Sequence, residues 1–142
     1  MPNTTFRFPR AERLKSRKLL GELITGDQLS FIYPFRIAWQ TSDQEGGYPL
    51  QVAFSVPKRR FRLAVGRNPV RRRMLEAWRL HHQPLIDHLR EQHKACALVL
   101  IYSGKPEDRT WEVIERSIKR VVRGLIKGDL PPGKPAPPGR SR

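Results

Sequence analysis

One cysteine, Cys96, stands in the whole chain, which excludes an internal disulfide and a cysteine-rich zinc site. It lies in the apolar run "KACALVLIY" and reads as a small buried hydrophobe. Long apolar runs are also missing: no stretch of about 18 such residues exists to span a bilayer. The beginning, "MPNTTFRFPRAERLK", lacks the apolar stretch of a secretion signal, so the expected place is the cytoplasm. No Walker loop, GxSxG or HExxH occurs. The 13 acids are scattered without the paired spacing of a two-metal site. Of the four histidines, His81 falls on an apolar helix face, and His82, His88 and His93 have no evident partner in sequence, which argues against an acid–base pair.

Acids are scarce relative to the 28 lysines and arginines, and the net charge over 142 residues is +15. Self-repulsion of that size disfavours compaction, so it points to a polyanionic partner, nucleic acid ahead of an anionic membrane surface. The charge is concentrated. "SVPKRRFRLAVGRNPVRRRMLEAWR", Ser55 to Arg79, holds nine cations and one acid, Glu76.

Hydrophobic residues, 38% of the chain, suffice for one modest domain. A basic arm over 1–15 precedes a body over 16–127, and the Pro/Gly-rich tail 128–142 reads as disordered. Ser16 caps a helix over about 17–25 that Gly26 ends. "FIYPFRIAWQT" reads as strand, with Pro34 marking an edge, a bulge or a break into two strands. Leu50–Val56 is expected to pair antiparallel with it through "SDQEGGYP". Lys94–Ser103, nearly all apolar, is expected at the centre of the sheet. A last helix runs from Thr110 to about Lys127 on a stripe of Trp111, Ile114, Ile118, Val121, Val122 and Leu125. The fold class is α+β: a small mixed sheet covered by helices in the order α-β-β-β-α-β-α.

Asn68 before Pro69 predicts an N-cap with the helix starting at Pro69. Steps of 100° then put Val70, Met74, Ala77, His81 and Leu85 on one face, with Trp78 at its border. Arg71, Arg72, Leu75 and Arg79 lie on an adjacent face that Asn68 and His82 extend, while Arg73 points elsewhere. Lys58, Arg59, Arg60 and Arg62 arrive from the preceding loop. A solvated helix face normally mixes signs, and this one does not. Arginine's planar fork and the positive helix N-terminus near Arg67 both suit phosphate. Trp39 shares a strand face with Phe35 and Ile37; alternation alone leaves open whether it is core or stacks on an unpaired base.

The same residues resemble the signature of the bacterial ribonuclease P protein subunit. That family shows Ser-x-x-Lys, then Ala-Val-x-Arg-Asn-x-x-Lys/Arg-Arg-x-x-Arg-Glu-aromatic-Arg. Ser55, Lys58, Ala64, Val65, Arg67, Asn68, Arg71, Arg72 and Glu76 match it, and Trp78 and Arg79 supply its aromatic and last arginine one position further on, past Ala77. "ERLKS" and "YPFRIAW" resemble family segments in the expected order, and the likeness covers about residues 6 to 127. It implies a ribosomal-protein-like fold with a left-handed βαβ crossover, against the right-handed default. It implies a protein that binds a catalytic RNA and the 5′ leader of precursor tRNA and assists removal of that leader, an endoribonuclease whose chemistry and Mg²⁺ belong to the RNA. No catalytic residue, cofactor or metal is expected on the protein itself; whether Asn68 or a nearby carbonyl helps hold a metal ion in the complex stays open. The RNA-binding residues implied are Lys58, Arg59, Arg60, Arg67, Asn68, Arg71, Arg72 and Arg79, with Arg13 and Lys15 from the N-terminal arm. By position Leu20, Ile24 and Trp39 line the leader cleft. Two departures stand out: Leu20 and Ile24 replace first-helix aromatics, and Leu75 occupies the place of a motif arginine. The expected state is a monomer in the holoenzyme, without membrane contact. The alternative is a structural or ribosome-associated RNA-binding protein of the same fold.

Overall fold

The computed structural model describes residues 12–26, 29–43, 47–57 and 64–130. Lys58, Arg59, Arg60, the proline-rich tail beyond Leu130 and the first eleven residues lie outside them.

The first helix, α1 (Arg17–Thr25), has the bounds its signals predict. Ser16 accepts from the Leu19 amide at 3.1 Å, and Gly26 closes the end on the Leu23 carbonyl. The aromatic run breaks at Pro34 into β1 (Leu29–Ile32) and β2 (Phe35–Asp43), paired antiparallel. Next come β3 (Leu50–Ser55), α2 (Ala64–His81), α3 (Gln83–Gln92), β4 (Lys94–Tyr102), a 3-10 turn at Pro106–Asp108, and α4 (Trp111–Lys127). Thr110 caps α4 through the Val113 amide, and Gly128 ends it in the left-handed conformation at φ 72°. Only glycine holds that conformation without a steric penalty.

Three expectations about connectivity are corrected. β3 does not pair with the aromatic strands: the sheet order is β1-β2-β4-β3, with β4 antiparallel to β2 and parallel to β3. The near-continuous apolar content of β4 is the reason. Val99 and Leu100 are both buried, facing opposite sides of the sheet, so β4 needs neighbours on both edges and layers on both faces. The parallel β3–β4 pair makes the α2–α3 segment a crossover.

Helix α2 begins at Ala64, not at Pro69, so Asn68 is no cap. Pro69 falls in the second turn, where its missing donor removes one bond to the Val65 carbonyl and the helix tolerates it. At the other end, Leu85 does not continue α2. Pro84 has no amide for the Leu80 carbonyl, and its ring crowds that carbonyl, so the chain breaks at His82 and restarts as α3.

The sheet separates two apolar layers. The larger joins Phe35, Ile37, Leu98, Leu100 and Tyr102 to Val70, Met74 and Trp78 of α2, Ile86 of α3, and Ile114, Ile118 and Val121 of α4. The smaller lies under α1, where Leu23 meets Ala38 and Val99, with Leu19, Leu20 and Ile101 around them.

Candidate nucleic-acid interface

The buried stripe Val70, Met74, Ala77 and Trp78 anchors α2 to the core and fixes which side faces outward. Asn68, Arg71 and Arg72 are exposed on that outer side, with Arg67, Leu75 and Arg79 half-buried beside them. Arg79 is bonded to Glu76, an i,i+3 ion pair. That contact lowers the Glu76 carboxyl below its ordinary pKa and raises that of Arg79. Arg71 and Arg72 pair with no carboxylate among the described residues. Arg73 leaves the group, as the helical angle predicts: its Nη1 donates to the Arg109 carbonyl at 2.8 Å, beside the start of α4. Leu75 sits inside the cationic face.

The second surface lies across the sheet. Ile24, 45% exposed, overhangs a shallow cleft floored by Leu29, Arg36, Ala38 and Ile101, and Leu20 packs alongside it. Trp39 is not part of this cleft. It pairs with Leu98 and packs into the large core on the opposite face, as strand alternation from Ala38 requires. The aromatic on the cleft's side of the sheet comes instead from β1. Phe31, 39% exposed, is the cross-strand partner of Arg36 and stands edge-on to Tyr33 at 6.2 Å. Tyr33 is tethered: its hydroxyl donates to Asp108 Oδ2 at 2.5 Å and accepts from the Lys105 amide at 3.0 Å. The bond to Asp108 raises its pKa. Counting by twos along one strand would set Phe31 with Phe35 and Ile37; the reversal at Tyr33–Pro34, which pairs Phe31 with Arg36, carries it to the Arg36–Ala38 face instead.

The N-terminal arm is held from residue 12 onward. Arg13 bridges to Val52 beside β3, the Leu14 amide donates to the Val52 carbonyl at 2.9 Å, and both Arg13 and Lys15 are exposed. Glu12, fully buried, is the group that sequence reasoning missed. Its Oε2 accepts from Trp78 Nε1 at 2.5 Å, its Oε1 lies 3.1 Å from His82 Nε2, and Tyr48 donates to it at 3.3 Å. Trp78 and His82 stack at 5.8 Å. His82 therefore does not extend the cationic face. It is buried under the arm and reaches no solvent-borne phosphodiester. His81 is likewise engaged, with Glu115 Oε2 at 2.9 Å. Burial, then the charge of Glu12, pushes the Tyr48 hydroxyl up to about 12.

The molecule is an α+β domain with one helix face left cationic and a small cleft, lined by Ile24, Leu29, Arg36 and Ile101, on the far side of its sheet. The family model described as Ribonuclease P matches residues 8–125. The ribonuclease P protein components of two Porphyromonas gingivalis strains, ATCC 33277 and W83, are each 31% identical over 130 residues, 89% of this chain and 91% of theirs. A solved Staphylococcus aureus RNase P protein superimposes with a TM-score of 0.59 at 19% identity, over 80% of this chain and 94% of that one. A second structure of the Staphylococcus aureus protein gives 0.58 at 19%, over 84% and 93%. The chain belongs to the ribonuclease P protein family.

Proposed function

We propose that this protein subunit uses the outer face of α2 to hold the ribonuclease P RNA, and the cleft beneath α1 to hold the single-stranded 5′ leader of precursor tRNA. The RNA supplies the bond-breaking chemistry with its own Mg²⁺, one protein molecule serves each particle, and the particle works in the cytoplasm. The observation that carries this reading is the pair Arg71 and Arg72, exposed on a rigid helix without a carboxylate partner among the described residues. Left alone they repel each other; a phosphate chain offsets that repulsion and releases its counterions.

The cleft suits unpaired bases by its lining. Ile24, Leu29 and Ile101 set apolar surface beside Arg36, and Phe31 stands on the same face as the cross-strand partner of Arg36. Stacking of a base on an aromatic contributes about 1–3 kcal/mol with little regard to sequence. A processing enzyme that meets many different leaders needs that tolerance. Leu20 and Ile24 supply the apolar wall in place of first-helix aromatics.

The reading is tested by cleavage of a precursor tRNA with the cognate ribonuclease P RNA at low Mg²⁺, with and without the protein. Added protein is expected to raise the rate and to lower KM for leader-bearing substrate. Equal rates with and without it would reject the proposal.

A further inference from the structure

Among the described residues, α4 carries a strongly charged surface that the family motif and the cleft leave unused. Its buried residues are Ile114, Ser117, Ile118, Val121, Val122 and Gly124. Its exposed arc, at 100° per residue, contains Glu112 and then only cations: Arg116, Lys119, Arg120, Arg123 and Lys127, all exposed. None of the five is paired with a carboxylate among the described residues. From Arg116 to Lys127 the helix rises about 16 Å, one cation per roughly 4 Å. One strand of a nucleic-acid duplex carries a charge about every 3.4 Å of axis, a close match. At the C-terminal end the chain folds back over Gly124, where a Cβ would stand 2.5 Å from Leu130 Cδ2. A groove of about 210 Å³ opens there, lined by Arg120, Arg123, Lys127, Asp129 and the apolar Ile32 and Leu130.

This arc is not an extension of the α2 face. Arg73 and His81 mark the side of α2 turned to α4, through Arg109 and Glu115. Asn68, Arg71, Arg72 and Arg79 lie between about 100° and 160° around the α2 axis from Arg73. The α2 face is therefore turned away from α4, while the α4 arc lies about 40° to 140° around its own axis from Glu115, which meets α2. A membrane surface is the poorer partner for α4, because its apolar side is buried in the core and has nothing to insert.

We propose that the outer arc of α4, Arg116, Lys119, Arg120, Arg123 and Lys127, is a second RNA-backbone surface, so that one protein molecule joins two separate phosphate chains. The proposal rests on the reading of α2 as the first such surface.

The test counts duplexes. The full chain is mixed at low salt with excess generic 12-base-pair RNA duplex, and the complexes are weighed by native mass spectrometry. Two duplexes per protein are expected. The variant Arg116→Gln/Arg120→Gln/Arg123→Gln is expected to bind one, and the corresponding lysine variant two. In complexes with the cognate ribonuclease P RNA, the glutamine variant should lower the log–log salt slope by roughly three units. One duplex on the unaltered chain, or two on the glutamine variant, would overturn the inference. So would loss of binding to phosphatidylserine vesicles with the duplex count unchanged. If the triple variant does not fold, Arg123→Gln alone is expected to lower the slope by about one unit, and an unchanged slope refutes the idea. Arg71→Gln/Arg72→Gln separates the two claims: it should leave one duplex, on α4, and if both remain bound the reading of α2 fails instead.

Discussion

Replacing Glu12 by alanine should cost this protein a large share of its stability, although the residue precedes the first helix. The carboxylate is fully buried and serves three side chains at once: Trp78, His82 and Tyr48. Trp78 and His82 are themselves at 0% and 1% exposure, so neither can turn to water when the carboxylate goes. A buried polar group left without its partner costs about 1–3 kcal/mol, and two are left here. Breaking a buried polar pair by removing one member costs about 3–5 kcal/mol, which agrees with that sum. We therefore expect Glu12→Ala to lose about 3–5 kcal/mol, against a total of about 5–15 for an ordinary domain. Glu12→Gln keeps an acceptor for Trp78 and should lose about 1–2 kcal/mol.

The assay is urea unfolding of the RNA-free chain, followed by tryptophan fluorescence and circular dichroism, with the slope compared between variants. A second arm uses His82→Ala alone and with Glu12→Ala. Because the two side chains share one contact, their losses should be strongly non-additive. A loss below about 1 kcal/mol for Glu12→Ala, or additive losses in the cycle, would refute the account of the arm as clamped through this carboxylate.

Other expectations can be checked separately. Arg71→Gln/Arg72→Gln should lower the salt slope of RNA binding by about two units, whereas Arg73→Gln, whose side chain serves the Arg109 carbonyl, should leave it unchanged. Phe31→Ala should weaken binding of leader-bearing precursor by about 1–3 kcal/mol while sparing mature tRNA, measured by competition; equal losses for both would take Phe31 out of the cleft. Trp39→Ala should instead lower the unfolding free energy by about 2–3 kcal/mol with leader discrimination intact. Cys96, its thiol pushed up to about 12 by burial, should resist a chromogenic disulfide reagent at pH 8 until denaturant is added; rapid labelling of the native chain would contradict its burial. Tyr48 has a folded pKa of about 12, above the ordinary 10.0, so its contribution is complete below pH 10 and lost as pH rises through 12. Allowing for its contact with water, that loss is about 1 kcal/mol, and Tyr48→Phe should remove it from an alkaline unfolding series.

Local signals were legible in the sequence where one residue type dictates one conformation. Ser16, Gly26, Thr110 and Gly128 place the ends of α1 and α4, because each cap is satisfied within its own turn. Pro34 and Pro84 both interrupt an element, and only the first was read that way. Strand pairing was not legible: the choice between β3 and β4 as neighbour of β2 is made by burial on both faces, a property of the assembled sheet. The outward turn of Arg71 and Arg72 follows from helical spacing alone. The partner of His82 does not, since Glu12 is 70 residues away and nothing in its surroundings marks it as buried. Trp39 shows the opposite failure: alternation already set it on the Phe35–Ile37 face, and the cleft beneath α1 lies on the other one.

The position of Glu12 also bears on how the two surfaces proposed for RNA, the outer face of α2 and the cleft beneath α1, stay in register. Through Trp78 and His82 it grips the C-terminal end of α2, one turn from Arg79 on the cationic face. Four residues later Ser16 caps α1, whose far end overhangs the cleft. Between these points the chain is tied to β3 by the Leu14–Val52 bond. The arm is thus a short, fully bonded strap from the basic helix around the sheet edge to the cleft helix. Loosening it should blur the spacing between the two surfaces before it harms either one. In Glu12→Gln, affinity for ribonuclease P RNA alone is expected to hold within about twofold, a change of under ~0.5 kcal/mol. The extra affinity of the holoenzyme for leader-bearing precursor over mature tRNA should fall more steeply. If both affinities fall in parallel, the strap does no more than stabilise the fold.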